Sequence, residues 1–216
     1  MQPNRSVHFS ILRLLPTYLL RAAQDMLDMC VPNHHNHDQV LSPAESRSYF
    51  STCAIQTSPL ILGNDLSSMN QECLDVISNA EIIALNQDAR VSRAKLVYQW
   101  PMAEWPNAKS LPGSSSSDGP TAAVMVVKDA SVNISLQAWS KPLADGSVGV
   151  VAFNRGPTVA SVNVTWRMIG LVGGVVAGVR DLWAHAERGS HTGWYMCESI
   201  AAHDVCALKI TPTKVM

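Results

Sequence analysis

Asp25 and Asp28 enclose Met26 and Leu27 in a short acidic and apolar stretch. Two carboxylates in such a setting can differ in pKa and serve as acid and base. The same residues also suit a helix cap or a solvated turn. Asp65 is a second candidate. It follows the apolar run Leu60-Ile61-Leu62 and can either face a pocket or cap the helix expected to start near Ser68. His34-His35-Asn36-His37-Asp38 gathers imidazoles and a carboxylate, side chains that bind transition metals. Ligands this close in one loop converge on an ion only with partners from elsewhere. The competing reading is a solvated loop that rims a pocket.

The five cysteines, Cys30, Cys53, Cys73, Cys197 and Cys206, show no C-x-x-C spacing, which argues against a zinc or redox site. Cys53 and Cys73 fall on apolar helix faces, where cysteine acts as a small hydrophobe. Cys197 and Cys206 flank a turn and can pair in an oxidising compartment; spacing leaves that open. Sequons occur at Asn4, Asn133 and Asn163. Around the last two, apolar residues alternate with polar ones, so a strand would turn both asparagines outward as possible glycosylation positions. Plain polar residues on a sandwich would give the same pattern.

These residues need a scaffold. Apolar residues make up 47% of the 216, charged residues 15%, and the formal net charge is −1. There is ample core material and no basic footprint for nucleic acid. No apolar run is long enough to span a membrane. Phe9 to Leu20 is apolar, but Arg13 and Pro16 interrupt it, unlike the clean centre of a signal peptide.

From Ala22 to Asp88, short apolar runs alternate with helical spacing. Ser42-Pro43-Ala44-Glu45 reads as a capping box, with Phe50, Cys53, Ala54 and Thr57 on one buried face. Pro59 forces an extended entry into a buried strand at Leu60–Leu62. Ser68 and Gln71 then read as a second capping box, with Met69, Cys73, Val76 and Ile77 facing inward. Strand and helix at these lengths are βαβ material. From Lys95 the grammar changes. Short valine-rich segments near 122–128, 131–139, 147–154, 159–166 and 204–210 are separated by turn signals, among them Ala144-Asp145-Gly146 and Gly189. They predict an antiparallel sandwich. Residues 111–120 read as a flexible, low-complexity loop inserted within it.

Residues 25 to 212 resemble the carboxy-terminal portion of the melibiase-type α-galactosidases, glycoside hydrolase family 27. The likeness runs through Asp25-Met26-Leu27, Glu45 with Tyr49-Phe50, Ser58 to Leu66, and Ser78 to Asp88. It continues through Trp139, Pro142-Leu143, Asp145-Gly146, Phe153 to Pro157, Asp181-Leu182-Trp183 and His203. Arg21 to Gln24 depart from the family's Trp-Asn-Asp-Pro, and residues 1–20 match nothing in it. The resemblance implies the end of a (β/α)8 barrel over residues 21–94 and an antiparallel β-sandwich over 95–216, after an unmatched segment at 1–20. It implies hydrolysis of terminal α-linked galactose with retention, by two aspartates, with no metal or cofactor. Those carboxylates would stand about 5 to 5.5 Å apart. Both would precede the part matched here, so no catalytic residue transfers. Asp25, which would hydrogen-bond the sugar, and Met26, which would pack against it, do transfer. Galactose-containing oligosaccharides or glycoconjugates would be the partners, with no nucleic acid and no membrane. A secreted, lysosomal or vacuolar site is implied for the full-length enzyme. Two strands of eight cannot close a barrel, so the chain alone should be inactive and its first half marginal. A rival reading is a non-catalytic sandwich that binds carbohydrate or supports a partner, with Trp166, Trp183 and Trp194 as stacking candidates.

Overall fold

The computed structural model describes residues 27, 29, 41–63, 66–100 and 136–213. The expectations placed on Asp25, Met26, Asp28, the 34–38 cluster, Asp65, Asn133 and the segment near 122–128 lie outside these residues.

Helix α1 spans Pro43–Ile55 and begins as the sequence predicts. Ser42 Oγ accepts from the Glu45 amide at 3.3 Å, and the Glu45 carboxylate accepts from the Ser42 amide at 2.9 Å. The expected face stops short, because Gln56 ends the helix and Thr57 turns to φ 58°. The helix is buried on more than one side, including Ser46, Ser48, Ser51 and Thr52. Three of these hydroxyls are visibly satisfied. Ser48 donates to the His203 carbonyl at 2.6 Å, Thr52 donates to the Ser48 carbonyl at 2.7 Å, and Ser51 accepts from Trp183 Nε1 at 2.9 Å.

Leu60–Leu62 does not form the expected buried strand. What exists is one parallel bridge, Leu27 to Leu62. The Leu27 amide donates to Ile61 O at 2.6 Å and the Gly63 amide to Leu27 O at 2.9 Å. Ile61 remains 54% exposed. A segment bonded on one side only, among the described residues, keeps a free edge and an uncovered face. A 3-10 turn at Leu66–Ser68 leads to α2, Gln71–Ile77. Its cap is Asn70, not Ser68: Asn70 Oδ1 accepts from the Cys73 amide at 2.8 Å. Asn79 caps α3, Ala80–Asn86, by accepting from the amides of Glu81 and Ile82.

Among the described residues, eight strands follow: β1 Lys95–Trp100, β2 Leu136–Pro142, β3 Val148–Asn154, β4 Ala160–Thr165, β5 Val176–Asp181, β6 Ala186–Thr192, β7 Trp194–Ile200 and β8 Val205–Pro212. All ladders between them are antiparallel. Six strands form one sheet in the order β1-β2-β3-β8-β5-β6, and β4 pairs with β7 in a second. The spacing of valines finds β2, β3, β4 and β8. It misses β1, β5, β6 and β7, and Gly189 lies within β6 rather than in a turn.

The centre of the large sheet, β3 and β8, carries core residues on both faces, whereas β6 is mostly exposed. Val150, Leu208 and Ile210 face the second sheet, packed with Val162, Val164 and Trp166. Val151, Ala207 and Leu182 face the helices, packed with Phe50, Ile55 and Leu85. This second core crosses the boundary expected near residue 94. Alternation therefore vanishes from β3, whose seven residues are all buried.

The Cys197–Cys206 disulfide links β7 to β8 and so joins the two sheets. Cys53 is a buried thiol outside any disulfide, as expected of a small hydrophobe, and burial pushes it up to about 12. Cys73 departs from that expectation and is disulfide-bonded.

Candidate functional site

A groove of about 1440 Å3 runs between the helices and the sandwich. Its helix wall carries Glu72 and Asp75 from α2, and its sandwich wall carries residues from β6, β7 and the start of β8. The β5–β6 turn shapes one side. Asp181 Oδ1 accepts from the amides of Trp183 and Ala184 at 3.1 and 3.0 Å, folding Leu182–His185 back on the strand end. The other Asp181 oxygen accepts from Arg188 Nη2 at 2.7 Å. The next turn presents Trp194. Gly193, at φ 80°, precedes it, and a β-carbon there would lie 3.2 Å from Gly173 O. Trp194 is left 44% exposed on the groove.

Charge pairs hold the two walls together. Arg47 on α1 meets Asp204 through Nε at 3.1 Å and Nη2 at 2.6 Å. Arg180 on β5 meets Glu81 on α3 through Nε at 2.6 Å and Nη2 at 2.7 Å. Glu81 Oε1 also lies 2.7 Å from His185 Nδ1. The Arg180 hydrogen bond holds the Glu81 carboxyl below its ordinary value, with His185 adding to the shift. Burial raises the Tyr195 phenol above its ordinary value. His191 meets the Tyr195 ring edge-on, with centroids 4.9 Å apart. Among the described residues, no group of three or more His, Cys, Asp or Glu side chains could hold a metal ion.

The predicted site residues separate sharply. Asp25 and Met26 are not described; their neighbour Leu27 is fully buried and bridged to Leu62. Asn163 is described and does not face solvent. It is 8% exposed, between buried Val162 and Val164, and its Oδ1 has no partner. Ser161 and Thr165, on the same face as Asn163, stay half-exposed, so alternation holds along β4 except at the asparagine. Of the three tryptophans, Trp166 is fully buried, Trp183 is half-buried with its Nε1 bonded to Ser51, and Trp194 alone is broadly exposed. Sequence reasoning missed Arg188, His191 and Tyr195, which lie on strands without an apolar pattern. It also missed the Glu81–Arg180 pair, although Glu81 and Asp181 each lie in a block that carries the family resemblance.

Comparison with known proteins gives a consistent result. Residues 133–210 match the family model described as the alpha galactosidase C-terminal beta sandwich domain. An α-galactosidase of Oryza sativa subsp. japonica is 31% identical over 172 residues, which is 80% of this chain and 33% of that protein. An α-galactosidase of Coffea arabica is also 31% identical over 172 residues, covering 80% of this chain and 36% of that protein. Among solved structures, α-galactosidase I from Mortierella vinacea superposes with a TM-score of 0.61 at 25% identity, covering 86% of this chain and 38% of that one. The Saccharomyces cerevisiae α-galactosidase solved with raffinose gives 0.61 at 18% identity, over 81% of this chain and 45% of that one, a likeness of fold alone. The chain thus spans about a third of the length of the curated relatives it matches. Residues 133–210 thus belong to the alpha galactosidase C-terminal beta sandwich domain family, and over 80% of its length the chain is similar to the carboxy-terminal portion of α-galactosidases.

Proposed function

We propose that residues 21–94 supply the last two βα units of a (β/α)8 barrel and residues 95–216 its carboxy-terminal sandwich, in a retaining glycosidase that cleaves terminal α-linked galactose. The observation that carries this reading is the parallel Leu27–Leu62 bridge, followed directly by helices packed on a sandwich of this family. Parallel pairing needs covered faces, which further βα units would provide. In this reading Asp25 and Met26, next to the buried Leu27, contact the sugar at the carboxyl end of a barrel strand. The nucleophile and the acid/base come from barrel units that residues 25–212 do not match. Galactosides such as raffinose are the substrate class, since one structural relative was solved with that sugar. The two disulfide-bonded positions on the sandwich and the bonded Cys73 favour an oxidising, secreted or vacuolar compartment.

The test is direct. The purified 216-residue chain, given an aryl α-galactoside, is expected to show no turnover above an empty-vector control. Fusion behind the barrel portion of a relative is expected to restore hydrolysis, and Asp25→Ala in that fusion to lower kcat/KM by about 100-fold or more, as for a lost charged sugar contact. Turnover by the isolated chain would refute the assignment of its catalytic pair to other barrel units.

A further inference from the structure

We propose that the groove between α2 and the exposed side of β7 binds a neutral oligosaccharide, with one sugar ring stacked on Trp194. Its volume, about 1440 Å3, exceeds the roughly 300–1,000 Å3 of ordinary small-molecule pockets and suits several linked rings rather than one metabolite. The chemistry of the walls matches a polyhydroxylated, uncharged ligand. Trp194 offers an apolar face 44% open to solvent at the start of β7, next to the Tyr195–His191 pair. The Arg188–Asp181 and Arg47–Asp204 pairs border the same space. Carboxylate acceptors stand there beside guanidinium donors, and a sugar hydroxyl uses both.

Charge excludes the main alternatives among small ligands. Five carboxylates (Glu72, Asp75, Asp181, Glu198 and Asp204) line the groove against two guanidiniums, those of Arg47 and Arg188. That balance repels phosphate and sulfate. A peptide adding to the edge of β7 is the macromolecular rival, since β7 pairs only with β4 among the described strands. One bulge blunts that edge. The β4–β7 register shifts between Ala160 and Val162, opposite Ser199, which sits at φ 53°. Such a kink interrupts the even ladder that strand addition needs.

Only the choice of raffinose as one probe rests on the proposed glycosidase reading. The test titrates the full 216-residue chain with raffinose and, independently, with maltotetraose, following tryptophan fluorescence and calorimetry. Saturable binding of at least one sugar is expected, with a Kd on the order of 1 mM. Trp194→Ala is expected to weaken it by about tenfold or more, and Trp194→Phe to recover most of the affinity. Because Trp194 is exposed, circular dichroism and Tm should be unchanged in both variants. Absence of binding by both sugars to about 20 mM, or binding that Trp194→Ala leaves intact, overturns the proposal. So does saturable binding of an extended Val/Thr-rich peptide with no response to either sugar.

Discussion

Gly149 shows how tightly the two halves of the chain are fitted. It lies on β3, and a β-carbon there would run into the Cδ1 methyl of Leu85 on α3, with Ile55 Cδ1 3.5 Å away and Leu143 Cδ2 3.7 Å away. Leu85 is 3% exposed, so relieving the contact requires its side chain to turn within the core. Gly149→Val is therefore expected to destabilise the chain by about 2–3 kcal/mol through overpacking, read as a lowered midpoint in urea with an unchanged slope. Asn154 works by hydrogen bonding instead. Fully buried, it donates from Nδ2 to the carbonyls of Thr158, Ile200 and Ala201 and accepts from the Gly156 amide. Both residues could be found in the sequence, but their roles could not. Gly149 reads as a weak strand residue until Leu85, far away in the chain, is set against it. Asn154 reads as a turn signal until the chain returns from Ile200. Asn163 marks the opposite failure, where alternation holds at Ser161 and Thr165 but not at the asparagine between them.

At the level of elements, local signals were legible and distant ones were not. The Ser42–Glu45 box was readable because cap and partner lie within one turn. Asn70 was passed over for Ser68 because both begin a plausible cap, and only the 3-10 turn at Leu66–Ser68 moves the helix start. Strands β5, β6 and β7 escaped because their sequences carry charge and glycine where a half-buried strand would carry valine. Several blocks that carry the family resemblance prove to be stitches between helices and sandwich. Asn79 Nδ2 donates to Leu182 O at 3.0 Å, Asp88 accepts from the Ala144 amide at 3.0 Å, and Glu81 holds Arg180. The last stitch depends on pH. Glu81 titrates below its ordinary value in the folded chain, so its pairing adds stability above the pKa of the unfolded carboxyl. That stability is lost as pH falls through the folded value. Glu81→Gln should lower Tm near neutral pH, and the gap from wild type should close as the solution is acidified into that range.

For the whole molecule, the shared sheet changes the expectation drawn from sequence. A sandwich folding alone beside a marginal first half would melt in two steps. The core formed by Phe50, Ile55 and Leu85 with Val151 and Ala207 covers the middle of one face of the large sheet. Removing the helices would leave that apolar face to water, at about 25 cal/mol for each Å2 uncovered. Residues 41–213 should therefore unfold in one calorimetric transition, with equal calorimetric and van't Hoff enthalpies. A resolved early transition would show that the helices leave first. The architecture of the sandwich was readable in outline from its turns and valines. The groove was not, because its walls come from α2, β6 and β7, which meet only after folding.

The Cys197–Cys206 bond spans just nine positions of chain, yet its two sulfurs belong to different sheets. The turn between them, Ala201 to Asp204, is the short strap over which the polypeptide climbs from one layer to the other. A protease that severs this strap does not free either piece, because the covalent rivet beside the cut still fastens layer to layer. A nicked molecule would keep its full mass and its shape until a thiol reductant let the fragments part.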